Sequence, residues 1–97
     1  LSVDAILSIV QLSEAAHRPL RHFSSGMKQR IKLAQAIFSQ VPVVLLDEPC
    51  TNLDQAGIAL YHNLLHQYTR DRLVIISSND PVEYEHCQEE LRMADFA

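Results

Sequence analysis

The stretch that most constrains this chain is Val43 to Asp54, Val-Val-Leu-Leu-Asp-Glu-Pro-Cys-Thr-Asn-Leu-Asp. Four apolar residues, two of them β-branched, run directly into two adjacent carboxylates. A short unbroken apolar run of this kind predicts a strand buried on both faces of a parallel sheet. Asp47 and Glu48 then stand at the carboxyl end of the strand, where open α/β sheets place their ligands. Pro49 has no N–H to donate and ends the ladder. Two neighbouring carboxylates need compensation, and a hard, oxygen-seeking cation such as Mg²⁺ suits them best.

Composition narrows the field. Ninety-seven residues allow one domain, and an apolar content of 47% is ample for a core. A net charge of -4 argues against a general nucleic-acid binder. No apolar run approaches the ~20 residues of a membrane helix, and nothing reads as a signal peptide. Cys50 and Cys87 show neither CxxC spacing nor a disulfide framework, which suits the cytosol. The chain opens on Leu1, so it reads as a piece of something longer.

Along the chain, Leu1 to Leu12 predicts an amphipathic helix with Val3, Ile6, Leu7 and Val10 on one face. Ser13 to His22 is a polar connector broken at Pro19. Ser24 or Ser25 caps a helix running to about Gln40, with Met27, Ile31, Ala34 and Ile37 or Phe38 inward. Five of the eight basic residues, Arg18, Arg21, Lys28, Arg30 and Lys32, fall within fifteen positions around its start. A capped helix start beside a glycine is an anion site, although the same pattern also describes an ordinary helix with a solvated basic face. Asp54 caps a helix from Gln55 to Tyr68 with Ile58, Tyr61, Leu64, Leu65 and Tyr68 inward. His62 and His66 have the i, i+4 spacing of a metal pair. Asn63 stands where a zinc protease needs Glu, however, and the sequence offers no third ligand, so polar-face histidines are the plainer reading. Leu73 to Ser77 predicts a second buried strand. Asp80-Pro81-Val82-Glu83 is a helix start: a cap, Pro in the first turn, and an acid three residues past the cap. Glu89 to Ala94 reads as a further strand.

Three segments together carry a family resemblance. Val43 to Glu48 resembles a Walker B strand with its trailing glutamate. Phe23-Ser24-Ser25-Gly26-Met27-Lys28-Gln29-Arg30 resembles the signature motif of ATP-binding-cassette (ABC) ATPases, and Thr51 to Asp54 resembles the D-loop of that family. Order and spacing match over roughly residues 20–80. The resemblance implies an α/β fold: part of a P-loop NTPase (ABC ATPase), with a helical subdomain followed by parallel-sheet core strands and flanking helices. Residues 1–97 would be the C-terminal part of one nucleotide-binding domain, 1–40 forming the helical subdomain and signature helix and 41–97 the core with Walker B, D-loop and switch region. Only Gly26 and Gly57 are present, so no Walker A loop exists here, and the resemblance places it upstream.

What the resemblance implies for the site is specific. Asp47 would hold Mg²⁺ through water, and Glu48 would orient or deprotonate the attacking water. Ser24, Ser25, Gly26 and Met27 would meet the terminal phosphate of an ATP held by a second nucleotide-binding domain, with Asp54 bridging the two. Asn79 stands where the family carries a switch histidine, and can donate to phosphate without carrying a proton charge. Phe23, Ser25 and Met27 depart from the commonest signature and fit an exporter-type variant. The cofactors implied are ATP and Mg²⁺. The implied partners are the second nucleotide-binding domain and a transmembrane permease, with no nucleic acid, at the cytoplasmic face of the cell membrane. The function implied is an ATP-hydrolysing transporter subunit. The alternatives are a soluble family member acting on ribosomes or DNA, or a catalytically inactive fragment. Thr-Asn-Leu-Asp lacks the D-loop histidine of the ribosomal branch, and no coiled coil flanks the signature.

Overall fold

The computed structural model describes residues 2–13 and 24–89. Most of the expected connector, including Arg18 and Arg21, the signature residue Phe23, and nearly all of the expected strand at Glu89 to Ala94 lie outside the described residues. Six elements follow in order: α1 (Val3–Ile9), α2 (Ser25–Phe38), β1 (Val43–Asp47), α3 (Gln55–Tyr68), β2 (Leu73–Ser77) and α4 (Pro81–Tyr84).

The first helix is shorter than its apolar spacing suggests, and the reason is its C-terminal closure. Ser2 caps the start, its Oγ accepting from the Ala5 N–H at 3.1 Å. At the other end the Leu12 N–H reaches the Leu7 carbonyl at 2.7 Å and the Gln11 N–H reaches Ser8 at 3.1 Å, with Gln11 at φ 64°. This is the paired 6→1 and 5→2 closure of a Schellman end. It turns the chain so that Val10 and Leu12 enter the core beyond the helix.

The strands β1 and β2 pair in parallel, in register from Val43 opposite Leu73 to Asp47 opposite Ser77. Parallel neighbours need a crossover, and α3 supplies it. One core cluster joins the end of α1 to α2 and α3 through Val10, Leu12, Ala34, Ile37, Leu60 and Leu64. A second joins α2, the covered face of β1 and α3 through Leu33, Val44, Leu46, Cys50 and Tyr61.

Arg72 ties the helix ends to the sheet. Its guanidinium donates to the carbonyls of Ser39 at 2.8 Å, Tyr68 at 2.8 Å and Ile37. A cation at two helix C-termini satisfies carbonyls that have no partner within their own helices and complements both dipoles.

Burial of the sheet on both faces does not hold among the described residues. β1 alternates, with Val44 and Leu46 buried but Val43 40% and Leu45 68% exposed. In β2, Leu73 is 59% and Ile75 50% exposed. Side chains alternate faces along a strand, so Val43, Leu45 and Asp47 share one face with Leu73, Ile75 and Ser77. Helices α2 and α3 cover the opposite face. The apolar run predicts double burial because both faces carry aliphatic residues, yet among the described residues only one face has a cover.

Candidate functional site

The carboxyl rim of the sheet is where β1 and β2 stop together. The Glu48 N–H makes the last rung, to the Ser77 carbonyl at 2.8 Å, and Pro49 follows. Glu48 sits at φ 44°, in the left-handed region that costs a residue with a Cβ about 1–2 kcal/mol. Two tight turns then run back to back, the Thr51 N–H bonding the Glu48 carbonyl at 3.1 Å and the Leu53 N–H bonding Cys50 at 3.1 Å, with Asn52 at φ 64°. Asp47 and Glu48 are both exposed at this rim. Two adjacent carboxylates open to solvent are a fitting oxygen donor set for Mg²⁺.

Asn79 lies two residues beyond the end of β2, exposed at the same rim. It is not the helix cap. Asp80 takes that place, its carboxylate accepting from the Val82 N–H at 3.1 Å, with Pro81 in the first turn as the sequence suggests.

Below the rim lies a buried network invisible to motif reading. Glu83 is 4% exposed, and neither of its carboxylate oxygens bonds the N–H of its own helix cap. Oε2 accepts from the Cys50 N–H at 2.7 Å, and Oε1 pairs with Ser78 Oγ. The Tyr61 hydroxyl donates to the Glu83 carbonyl at 2.5 Å. The Asp80 N–H, which a capping-box acid at this position would take, bonds Ser78 Oγ at 2.9 Å instead. One carboxylate thus ties the loop after Glu48 to the loop that carries Asn79. From the other side, Gln29 of α2 donates to the Pro49 carbonyl at 2.8 Å. Burial foremost, then the charges of Glu83 and Asp80, push the Cys50 thiol up to about 12, which disfavours the reactive thiolate at this buried position.

The tip of α2 forms the second half of the site. Ser24 Oγ accepts from the Met27 N–H at 3.1 Å, and Met27 Sδ receives the Ser24 N–H at 3.5 Å. A thioether thus fills the place Glu or Gln holds in a capping box, as a weak acceptor whose chain also packs on the first core cluster. Ser24 and Ser25 are exposed, so the tip is open to a docking neighbour. Gly26 fits because a Cβ there would stand 3.1 Å from the Asn52 carbonyl oxygen. Asp54 caps α3, its Oδ1 accepting from the Gly57 N–H at 2.8 Å, and lies 3.7 Å from the Arg30 guanidinium. That pair is largely solvated at Asp54 and contributes little by itself.

Ser24, Gly26, Met27, Arg30, Asn52, Leu53 and Asp54 line one cleft. The Nε of Arg30 is buried with no hydrogen-bond partner among the described residues, which leaves a cationic donor uncommitted beside it. The candidate residues therefore fall into two sets, Asp47, Glu48 and Asn79 on the rim and Ser24, Ser25, Gly26, Met27 and Asp54 around the cleft. The segment from Pro49 to Leu53 links them. Sequence reasoning missed Gln29, Arg30, Asn52 and Glu83 as members. Gln29 and Arg30 lie in the signature stretch and Asn52 in the D-loop segment, whereas Glu83 carried no site signal.

Among the described residues, no helix is long and apolar enough to cross a membrane. The family model for the ABC transporter matches residues 2–51. The chain is 38% identical over 79 residues to an uncharacterized ABC transporter ATP-binding protein, YhcH, of Bacillus subtilis, which covers 79% of this chain and 26% of that protein. It is 31% identical over 98 aligned positions to the cytochrome c biogenesis ATP-binding export protein CcmA of Agrobacterium fabrum, covering 100% of this chain and 46% of that one. It is 35% identical over 75 residues to the bacitracin transport ATP-binding protein BcrA of Bacillus licheniformis, covering 77% and 24%. The chain thus spans between a quarter and a half of the length of these relatives. With signature, Walker B and D-loop segments at one sheet rim and one helix tip, the chain belongs to the ABC transporter family and forms part of its P-loop NTPase fold.

Proposed function

We propose that the full-length protein is the ATP-hydrolysing subunit of an ABC transporter of exporter type, and that this chain supplies two half-sites facing different nucleotides. The observation that carries the reading is the split of the candidate residues. Two carboxylates stand on the sheet rim, with Glu48 at φ 44° on the last rung of the ladder, while a capped helix tip opens elsewhere with Arg30 Nε uncommitted beside it. Strained backbone next to a carboxylate pair is the kind of outlier that supports a functional assignment.

In this reading Asp47 holds Mg²⁺ through water, and the ion would offset charge on the phosphates of ATP. Glu48 orients the attacking water and takes its proton. Asn79 donates a hydrogen bond to the terminal phosphate but, unlike a histidine, shuttles no proton, so turnover is slower than in relatives with a switch histidine. Ser24, Ser25 and Gly26 present hydroxyl and N–H donors to the terminal phosphate of the ATP on a second nucleotide-binding domain, Met27 seats the tip, and Asp54 meets that domain while still capping α3. Closure of the two domains excludes water and drives a transmembrane permease at the cytoplasmic membrane face. The aliphatic face shared by Val43, Leu45, Leu73 and Ile75 supports the arrangement, since it offers the remainder of the domain a surface to pack on directly behind Asp47. The similarity to CcmA, an ATP-binding export protein, and to BcrA, a transport ATP-binding protein, supports this reading.

The test is ATP turnover by the full-length protein and its Glu48→Gln variant. Loss of a general base predicts a fall of roughly 10²–10⁴ in kcat, with nucleotide-dependent dimerisation retained. Unchanged turnover in the variant overturns the assignment of Glu48.

A further inference from the structure

Away from rim and cleft, the fold brings His62 of α3 together with Glu85 and His86, the two residues that follow α4. One ligand atom from each lies within 4.8 Å of the others. His62 Nε2 is 3.3 Å and His86 Nε2 3.6 Å from the same carboxylate oxygen, Glu85 Oε1. The two imidazoles stand edge to face, centroids 4.9 Å apart and planes at 87°.

His62 is the informative member. Both its ring nitrogens are buried, and neither has a hydrogen-bond partner among the described residues. A buried polar atom without a hydrogen bond costs about 1–3 kcal/mol, and Nε2 has only the Glu85 carboxylate 3.3 Å away. A metal ion satisfies the Nε2 lone pair outright. Zinc bonds of about 2.0–2.1 Å in tetrahedral geometry put neighbouring donor atoms about 3.3–3.4 Å apart. The distances to Glu85 are already close to that. Two imidazoles and one carboxylate form a recognised zinc set, with water in the fourth position. The scaffold is firm on both sides: the residue before His62, Tyr61, donates its hydroxyl to the carbonyl of Glu83, two residues before Glu85.

We propose that His62, Glu85 and His86 bind one Zn²⁺, which clamps the segment after α4 to α3. The sequence reads His62 and His66 as polar-face histidines, and their i, i+4 spacing is not what forms this site. His66, a turn further along α3, is exposed and stands outside the cluster, and the partners come from a segment more than twenty residues away.

The test uses the full-length protein, freed of metal and nucleotide, titrated calorimetrically with zinc sulfate, and with Co²⁺ as a spectroscopic stand-in. One saturable equivalent is expected, with the visible bands of tetrahedral Co²⁺. His62→Ala and His86→Ala should each weaken zinc binding at least tenfold and abolish those bands, while His66→Ala leaves both unchanged. His86 is exposed, so its replacement keeps the fold, and circular dichroism checks it. No saturable equivalent, or an equivalent that persists undiminished in both ligand variants, overturns the proposal.

Discussion

Replacing Glu83 by alanine is the most informative single change at the rim. The side chain is 4% exposed, and its two oxygens bond the Cys50 N–H and the Ser78 hydroxyl. Alanine leaves the Cys50 N–H without its acceptor in a buried setting, a cost of about 1–3 kcal/mol, and opens a void besides. Ser78 Oγ keeps its bonds with the Asp80 backbone and so adds little. The total is about 2–4 kcal/mol, the lower part of which already corresponds to roughly 30-fold in an opening equilibrium. Glu83→Gln behaves differently. Its amide oxygen can accept from Cys50 and its NH₂ can donate to Ser78 Oγ, so a cost near 0.5–1.5 kcal/mol is expected. Native-state hydrogen exchange reads both changes at one atom, the Cys50 amide. Its protection should fall at least 30-fold in the alanine variant and about 2- to 13-fold in the glutamine variant, with urea midpoints moving in the same order. If the alanine variant keeps the Cys50 amide protected to within twofold, the carboxylate does not hold this loop and the coupling argued for it fails.

Two further outcomes follow from the same region. Gly26→Ala gains up to about 1 kcal/mol of helix propensity but presses a Cβ against the Asn52 carbonyl. Stability should stay within about 1 kcal/mol of the parent by urea unfolding, while ATP turnover of the full-length protein falls at least tenfold because the D-loop is displaced; parental turnover would count against the packing of tip on loop. Cys50 has a folded-state pKa raised from 9.0 to about 12, so the unfolded chain loses this proton first as pH rises. Its contribution to stability is complete below pH 9 and declines between 9 and 12. Cys50→Ala should flatten the alkaline fall in stability over that window, and a slope identical to the parent's contradicts the assignment.

Much of the frame was legible because it rests on local chemistry. The span of α3 and its Asp54 cap, the Ser24 cap of α2, and both strands stand where caps and apolar runs put them. Helix α1 was overextended because Val10 and Leu12 continue its apolar spacing, while a Schellman closure at Gln11, a residue with no special turn propensity, redirects them. Leu60 of α3 was missed as a core residue, since the face was drawn through Tyr61 and Leu64 and the actual stripe is wider. Arg72, Glu83 and Gln29 act through bonds to backbone 20 to 35 residues away, and no local pattern announces such a partner. The zinc cluster was hidden for the same reason: one ligand came from a helix and two from a segment distant in sequence.

The uncovered side of the two-stranded sheet has a practical consequence. Val43, Leu45, Leu73 and Ile75 offer an aliphatic plate between two strands whose outer edges have no partner among the described residues. Such a plate is adhesive, since neighbouring copies can both stack on it and extend its ladder. Produced by itself at high concentration, the 97-residue chain should form insoluble aggregates or be retained by chaperones. A charge placed at Leu45, the most exposed of the four, is the economical remedy for anyone wishing to keep it in solution.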